Sequence, residues 1–326
     1  MEIELPAGDI DVLTIGEVVV DFISEEDVPS LRQAATFRRY QGGSPGNIAA
    51  NVARLGGTAA IVGKTGIGAF GSFCKAELGR VGVITDYLVM DHLVHTTVIF
   101  VSRTTGTPDF EAFRAGDAEL KPEEVSEEAI ERARIVHAST FALSRQPCRD
   151  AVFHTFKSAH ELGKMISLDP NYSPRLWPNQ REAMDVLEYL YGLTTLTKPS
   201  LDDASRLFGE GYNPEEYVRR FHDMGPDLVV LTMGSRGVLV SVAGKMTHIP
   251  ALSIKVVDAT GAGDAFWAGY LVSLLDGHDP IQAAHVAQAV VALKLQQVGP
   301  LPPTLDRAEI YRQVREVSEP RSNAPA

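Results

Sequence analysis

Residues 258–264 read DATGAGD, from Asp258 through Thr260, Gly261, Ala262 and Gly263 to Asp264, and run straight into AFWAGYLVSLL. In that continuation Phe266, Tyr270, Leu271 and Leu274 recur at helical spacing. The stretch therefore predicts a buried helix whose first turn carries three small residues and a carboxylate. A helix start exposes unpaired backbone N–H groups and roughly half a positive charge, and residues with little or no side chain let an anion come close. Phosphate suits such a place. Asp264 beside it is either a base for a hydroxyl that attacks the phosphate, or a plain complement to the helix dipole with the glycines serving helix packing. The heptapeptide alone leaves both readings open.

Outward from this stretch, apolar β-rich runs alternate with amphipathic helical ones. Strands are expected at Val12–Ile15, Ala59–Gly63, Ile135–Ala138, Met165–Leu168, Thr194–Thr197 and Leu228–Thr232. Helices are expected at Asn47–Leu55, Phe70–Arg80, Pro122–Arg134, Arg149–Leu162, Arg181–Tyr191 and Pro214–Met224, with two long packed helices at Ala262–Leu275 and Pro280–Gln297. Such alternation indicates βαβ crossovers and a mostly parallel sheet covered on both faces. Strand-like pieces at Val18–Ile23, Phe37–Tyr40, Thr96–Ser102 and Phe110–Arg114 lack intervening helices, and the polar end Ser318–Ala326 reads as a frayed tail.

A series of short motifs precedes DATGAGDAF. Gly16, Glu17 and Asp21 form G-E-x-x-x-D; Gly42, Gly43 and Asn47 form G-G-x-x-x-N; Gly63, Gly66, Phe70 and Gly71 follow; Asp169-Pro170-Asn171 lies mid-chain, and Thr232, Gly234 and Gly237 form T-x-G-x-x-G. In this order and spacing the chain resembles the ribokinase-like, phosphofructokinase-B type carbohydrate kinases along nearly its whole length, nearest in pattern to their fructokinase and 2-keto-3-deoxygluconate kinase branch. The resemblance implies an α/β fold, a ribokinase-like three-layer αβα sandwich with a mostly parallel central sheet, as a single kinase domain over 1–326. It further implies that segments 18–40 and 96–114 form a small β-sheet lid, which would exclude water from phosphoryl transfer.

It also implies an ATP-dependent sugar kinase, with fructose to fructose 6-phosphate as the leading reaction and 2-keto-3-deoxygluconate, ribose or a nucleoside as alternatives within the family. Asp264 would be the base, and Gly261, Ala262 and Gly263 would offer N–H groups to the transferring phosphoryl. Asp21, Gly42, Gly43 and Asn47 would read sugar hydroxyls. Arg114 and Arg175 match family arginines able to clamp a sugar acid, and they read equally as one contact to ATP phosphates and one lid salt bridge. Thr232, Gly234, Ser235 and Gly237, with Gln288, would line the nucleotide; without the resemblance the segment TMGSRG reads as an ordinary turn between strands. Ser200 and Asp203 fall where the family has an N-x-x-E element that organises Mg2+, and they read equally well as a helix N-cap. A monovalent cation, typically K+, is implied near Asp258, the Thr260 carbonyl and Gly299. Related kinases pair through their lids, so a homodimer is expected.

Other motif matches fail on chemistry or spacing. Residues 57–65 end in GKT, but the P-loop needs four residues between its glycines and here there are five. GGSPG at 42–46 imitates a hydrolase nucleophile elbow, yet Pro45 lacks the N–H that an oxyanion hole requires. Gly66, Gly68 and Gly71 with Asp91 fit the dinucleotide fingerprint, which makes an NAD-linked oxidoreductase the rival from a different class. That fingerprint normally opens the first βα turn, and here a strand and a helix precede it. The sugar-kinase family usually carries an acidic residue at the position of Gly68, a departure that leaves its role open. The nine histidines show no zinc spacing.

Composition sets outer bounds. With 326 residues, 44% of them hydrophobic, the chain can bury a large core, and a net charge of −12 argues against nucleic-acid or anionic-membrane surfaces. No run is long enough to span a bilayer. Two lone cysteines, Cys74 and Cys148, fit a reducing compartment, so a cytoplasmic location is expected.

Overall fold

The computed structural model describes residues 5–104 and 108–318. Its strands are β1 (Ile10–Ile15), β2 (Val19–Asp27), β3 (Phe37–Gly42), β4 (Ala59–Gly66), β5 (Leu88–Asp91), β6 (Val98–Arg103), β7 (Phe110–Phe113), β8 (Ala133–Ser139), β9 (Met165–Asp169), β10 (Leu196–Thr197), β11 (Leu228–Thr232), β12 (Val238–Val242) and β13 (Lys245–Ile249). Nine of them form one sheet in the order β13-β12-β11-β10-β9-β8-β1-β4-β5. Pairing is parallel from β5 to β11, and antiparallel only for the edge hairpin β11-β12-β13.

Consecutive residues of each central strand feed two different cores. Val12, Ile135 and Val230 face one, and Leu13, Val136 and Val229 face the other. Strands buried on both faces read as continuous apolar runs, which is what parallel sheets under two helical layers require. Helices Ser44–Arg54, Ala262–Leu275 and Pro280–Leu295 cover the first face, and Cys148–Glu161, Gln180–Tyr191 and Pro214–Met224 the second. From Ala265 to Leu275 every residue of its helix is buried, so that helix is apolar all round and sits in the middle of its layer.

Strands β3-β2-β6-β7 make a second sheet of four. It combines the segments expected as extra strands, apart from residues 105–107, which lie outside the described residues. The frayed tail expected from 318 onward also lies outside them beyond Ser318, which closes the helix Arg307–Ser318.

Two sequence expectations need correction. Pro122–Arg134 is not one helix: a single 3-10 turn, Pro122–Glu124, precedes Glu127–Arg132, and Ala133 already belongs to β8. The apolar spacing of the helix runs into β-branched Ile135 and Val136, and sheet pairing with β1 claims that stretch. A helix at Leu201–Phe208 was missing from the expected set, although Ser200 and Asp203 read equally well as its N-cap.

Candidate active site

The sheet reverses winding direction between β1 and β8, whose crossovers leave toward opposite edges. In open α/β sheets the crevice at the carboxyl ends of such strands is where ligands bind. Here those ends carry Glu17 after β1, Ser139 and Asp169 closing β8 and β9, Lys198 just past β10 and Thr232 closing β11. The start of the helix Ala262–Leu275 meets the same edge.

Asp264 lies on that first turn, partly exposed, and is held by two bonds from another helix start. Ser44 Oγ donates to Oδ1 at 2.7 Å and Asn47 Nδ2 to Oδ2 at 2.9 Å. Burial pushes its carboxyl above the ordinary range, against the pull of the Asn47 and Ser44 bonds and of the positive charges of Lys198 and Lys294. Ser44 and Asn47 sit there because β3 runs through Gly42 and Gly43 directly into their helix, with Pro45 fixing its first turn. Gly43 is required: its φ is +93°, and a Cβ would stand 2.3 Å from the Glu17 carbonyl oxygen.

Glu17, not singled out as a site residue, anchors this arrangement from below. Its Oε1 accepts from the Ser44 N–H at 3.2 Å and from Ser139 Oγ at 3.1 Å, and the residue is only 2% exposed. Burial, with a contribution from the charge of Asp117, pushes its carboxyl up to about 8 despite opposing hydrogen bonds. A carboxyl whose folded value exceeds its ordinary 4.5 keeps a proton that the unfolded chain releases. Its stabilising contribution is therefore full below the ordinary value and is lost as pH rises through about 8. Glu17→Gln fixes the neutral form. The difference in Tm, variant minus wild type, is expected to grow between about pH 5 and about pH 8.5, and a difference that does not change with pH would remove this assignment.

Across the crevice Lys198 Nζ pairs with Asp169 at 2.9 Å, the two side chains 6% and 4% exposed. Burial pushes the Asp169 carboxyl up and the ammonium pulls it back, so at neutral pH the two charges stand as a pair. A Cβ at Gly263 would lie 3.3 Å from that same Nζ. The absence of a side chain there brings a cation and a helix start together. Gly261 caps the helix in the left-handed region at φ +72°; the Ala262 N–H donates to the Ala259 carbonyl at 3.1 Å and is spent within the turn.

Asp21 lies beside Gly42, its carboxyl pushed up to about 7 by burial and by the charge of Asp264. Asp21 and Asn47 line a cavity of about 320 Å³ with Arg39, Tyr40, Thr260 and Gly261. Thr232, Gly234, Ser235 and Gly237 form the turn of the β11-β12 hairpin at the same sheet edge, next to Ser200.

The structure moves several expected residues to other work. Arg175, 59% exposed on its side chain, pairs with Asp109 at 2.8 Å and bonds the Phe110 carbonyl. Of the readings its sequence allowed, it takes the salt bridge, tied at Phe110 to the four-stranded sheet. Arg114 is buried against Asp117 at 2.6 Å and over the Phe141 ring. Ser200 and Asp203 form a capping box, and the second Asp203 oxygen accepts from the Tyr172 N–H at 2.8 Å, so both oxygens of the carboxylate are engaged inside the protein. Gln288 Nε2 donates to the Pro250 carbonyl at 2.9 Å. Asp258, expected at a monovalent cation, is occupied by Lys294 Nζ at 3.2 Å.

The rival reading loses its acid. Asp91 is bound by Lys64 at 2.9 Å, and Lys64 belongs to β4, which is strand throughout. Gly68 opens the next helix in an extended conformation with nothing within 4 Å of a would-be Cβ, so an acidic side chain would fit there too.

Comparison with known proteins agrees with this geometry. Residues 9–307 match the pfkB family of carbohydrate kinases. The ATP-dependent 6-phosphofructokinase of Thermoanaerobacterium thermosaccharolyticum is 34% identical over 89% of both chains, and fructokinase-1 of Zea mays 30% identical over 94% of this chain and 98% of its own. Among solved structures, Halothermothrix orenii fructokinase superposes with a TM-score of 0.78 at 39% identity, covering 86% of this chain and 98% of its own. An E. coli putative ribokinase II in complex with ATP and Mg2+ gives 0.84 at 26% identity, covering 95% and 100%. A Vibrio cholerae fructokinase double mutant in its fructose, ADP and potassium bound form gives 0.83 at 27% identity, covering 94% and 99%. With its motifs, its sheet and its helix-start carboxylate in one crevice, the chain belongs to the pfkB family of carbohydrate kinases, phosphotransferases that act on a hydroxyl acceptor.

Proposed function

We propose that the protein is an ATP-dependent fructokinase in which Asp264 takes the proton of the attacking sugar hydroxyl. The observation that carries this reading is the pair of bonds that Ser44 and Asn47 make to Asp264 at the mouth of a glycine-started helix. Those bonds orient the carboxylate, and its raised pKa brings its basicity closer to working pH than an ordinary carboxylate's. The Gly261 and Gly263 N–H groups and the Lys198 ammonium then supply preorganised positive potential for the transferring phosphoryl. An acidic chain of net charge −12 needs such a local patch to hold a polyphosphate. Mg2+, when bound with ATP, would offset the charge of the phosphates. Since Asp203 is spent on its cap and Asp169 on Lys198, it would be held chiefly by phosphates and water.

Asp21, Gly42, Gly43 and Asn47 read the sugar hydroxyls. The buried pairing of Arg114 with Asp117 favours a neutral sugar, because a sugar-acid carboxylate would have to displace that ion pair. A second reading rests on Arg39, which lines the cavity beside Asp21 and stacks on Phe73 at 3.8 Å. A guanidinium there suits a phosphorylated acceptor, in keeping with the 6-phosphofructokinase relative. The test is ADP release with fructose, fructose 6-phosphate, 2-keto-3-deoxygluconate and ribose. Fructose is expected to give the highest kcat/KM; a preference for fructose 6-phosphate that Arg39→Ala abolishes would replace this reading with the second.

The four-stranded sheet acts as the lid and as the dimer contact. It carries Phe22, Phe37 and Phe113, each in ring contact with Phe100, Phe113 being 54% exposed. Half-buried aromatic rings ending in one exposed phenylalanine suit an association surface.

A further inference from the structure

The Vibrio cholerae relative is described with a bound potassium ion, and a monovalent cation was expected here at Asp258, Thr260 and Gly299. The residues present do not fit one. Asp258, fully buried, takes Lys294 Nζ on Oδ2 at 3.2 Å, with the Gly299 N–H at 3.4 Å from the same oxygen, while Oδ1 accepts from the Thr260 N–H at 3.0 Å. The Lys294 side chain is 6% exposed. A single buried carboxylate balanced by one buried ammonium has no charge left to offset a second cation, and burying an uncompensated ion is strongly unfavourable.

We infer that Lys294 is a tethered cation which does the work of a dissociable monovalent ion, holding the loop Asp258–Gly261 so that turnover needs no potassium. Lys294 lies in the last turn of the helix Pro280–Leu295, where a positive charge is favoured by the helix dipole. The loop is tied to that same helix end: the Val257 N–H donates to the Leu295 carbonyl at 2.7 Å. A Cβ on Gly261 would stand 3.9 Å from Lys294 Cε, so the lysine stem packs directly beneath the cap of the helix that carries Asp264. The charge of Lys294 also reaches Asp264, whose carboxyl it helps to hold down. Lys294 is thus a positioning residue, acting on the anion site through Asp258 and the loop. The inference rests on reading that loop as the anion site of a kinase.

The test compares wild type with Lys294→Met, in chloride salts of potassium, ammonium, sodium and choline at constant ionic strength, by turnover and by Tm. Wild type is expected to change less than about twofold in turnover between potassium and choline. Lys294→Met is expected to lose about 10²-fold in kcat in choline, the scale of an ångström-sized misplacement, and to regain most of it with potassium or ammonium. The Tm of the variant should rise with potassium and not with choline, since an ion that binds only the folded state stabilises it, while that of wild type should not respond specifically. Potassium-specific activation or stabilisation of wild type overturns the inference, as does a folded Lys294→Met that no cation rescues in either readout. If Lys294→Met does not fold, the wild-type arm still decides. The Tm arm needs no turnover, so it separates failure of the tethered cation from failure of the fructokinase reading.

Discussion

Replacing Asp264 by asparagine is expected to lower kcat for sugar phosphorylation by about 10³-fold, within the usual contribution of a positioned general base, while ATP binding changes little. The amide keeps the shape of the carboxylate and can still accept from Ser44 Oγ, so the helix start stays in place. What goes is the ability to accept a proton. The pH profile of wild-type kcat/KM carries the same signature. Only the deprotonated acid works, and burial raises its value, so the acidic limb should lie above the ordinary 3.8 of an aspartate and should disappear from the residual activity of the variant. Steady-state kinetics with fructose and ATP, with nucleotide binding by calorimetry, checks both. Undiminished turnover in Asp264→Asn would end the mechanism.

Lys198→Met is expected to destabilise the protein by about 3–5 kcal/mol at neutral pH, because Asp169 then stays buried without its partner. The loss should shrink as pH falls, since the orphaned carboxyl, already pushed up by burial, escapes its penalty by taking a proton. Asp169→Asn combined with Lys198→Met should restore much of the stability, because no lone charge remains. It should not restore turnover, because the ammonium beside Gly263 is still missing. Urea unfolding of the three variants at two pH values, alongside kinetics, separates the two roles. Recovery of full turnover in the double variant would show that Lys198 serves only the fold.

The elements that were legible in the sequence are those whose pattern is local. Pro214–Met224 and Ala262–Leu275 match their expected boundaries, since each has a sharp start of its own. Asp264 could be found because glycines and an acid in one heptapeptide offer a helix-start anion site as one of two readings, and the motifs along the chain favour it. Lys198 and Lys294 could not, since each acquires meaning from a partner that topology delivers: Asp169 from the neighbouring strand and Asp258 from the loop ahead of the preceding helix. Asn47 was assigned to the sugar alone, and its bond to Asp264 depends on a contact across 217 residues. Arg114 and Arg175 stayed ambiguous for the opposite reason. A motif identifies an arginine but not the aspartate that will claim it. Ser200 and Asp203 show the ambiguity in miniature, because S-x-x-D is also the local signature of a capping box.

Ser44 and Asn47 begin a helix that continues β3 without a loop, so the fingers that grip Asp264 are fastened to the four-stranded sheet as well as packed on the large one. Exchanging that sheet between two kinases of this architecture therefore cannot be treated as swapping a cover. A chimaera joined before residue 44 would mate a foreign hinge to a resident acid and lose the alignment, whereas one joined after residue 54 would carry the grip along with the cover.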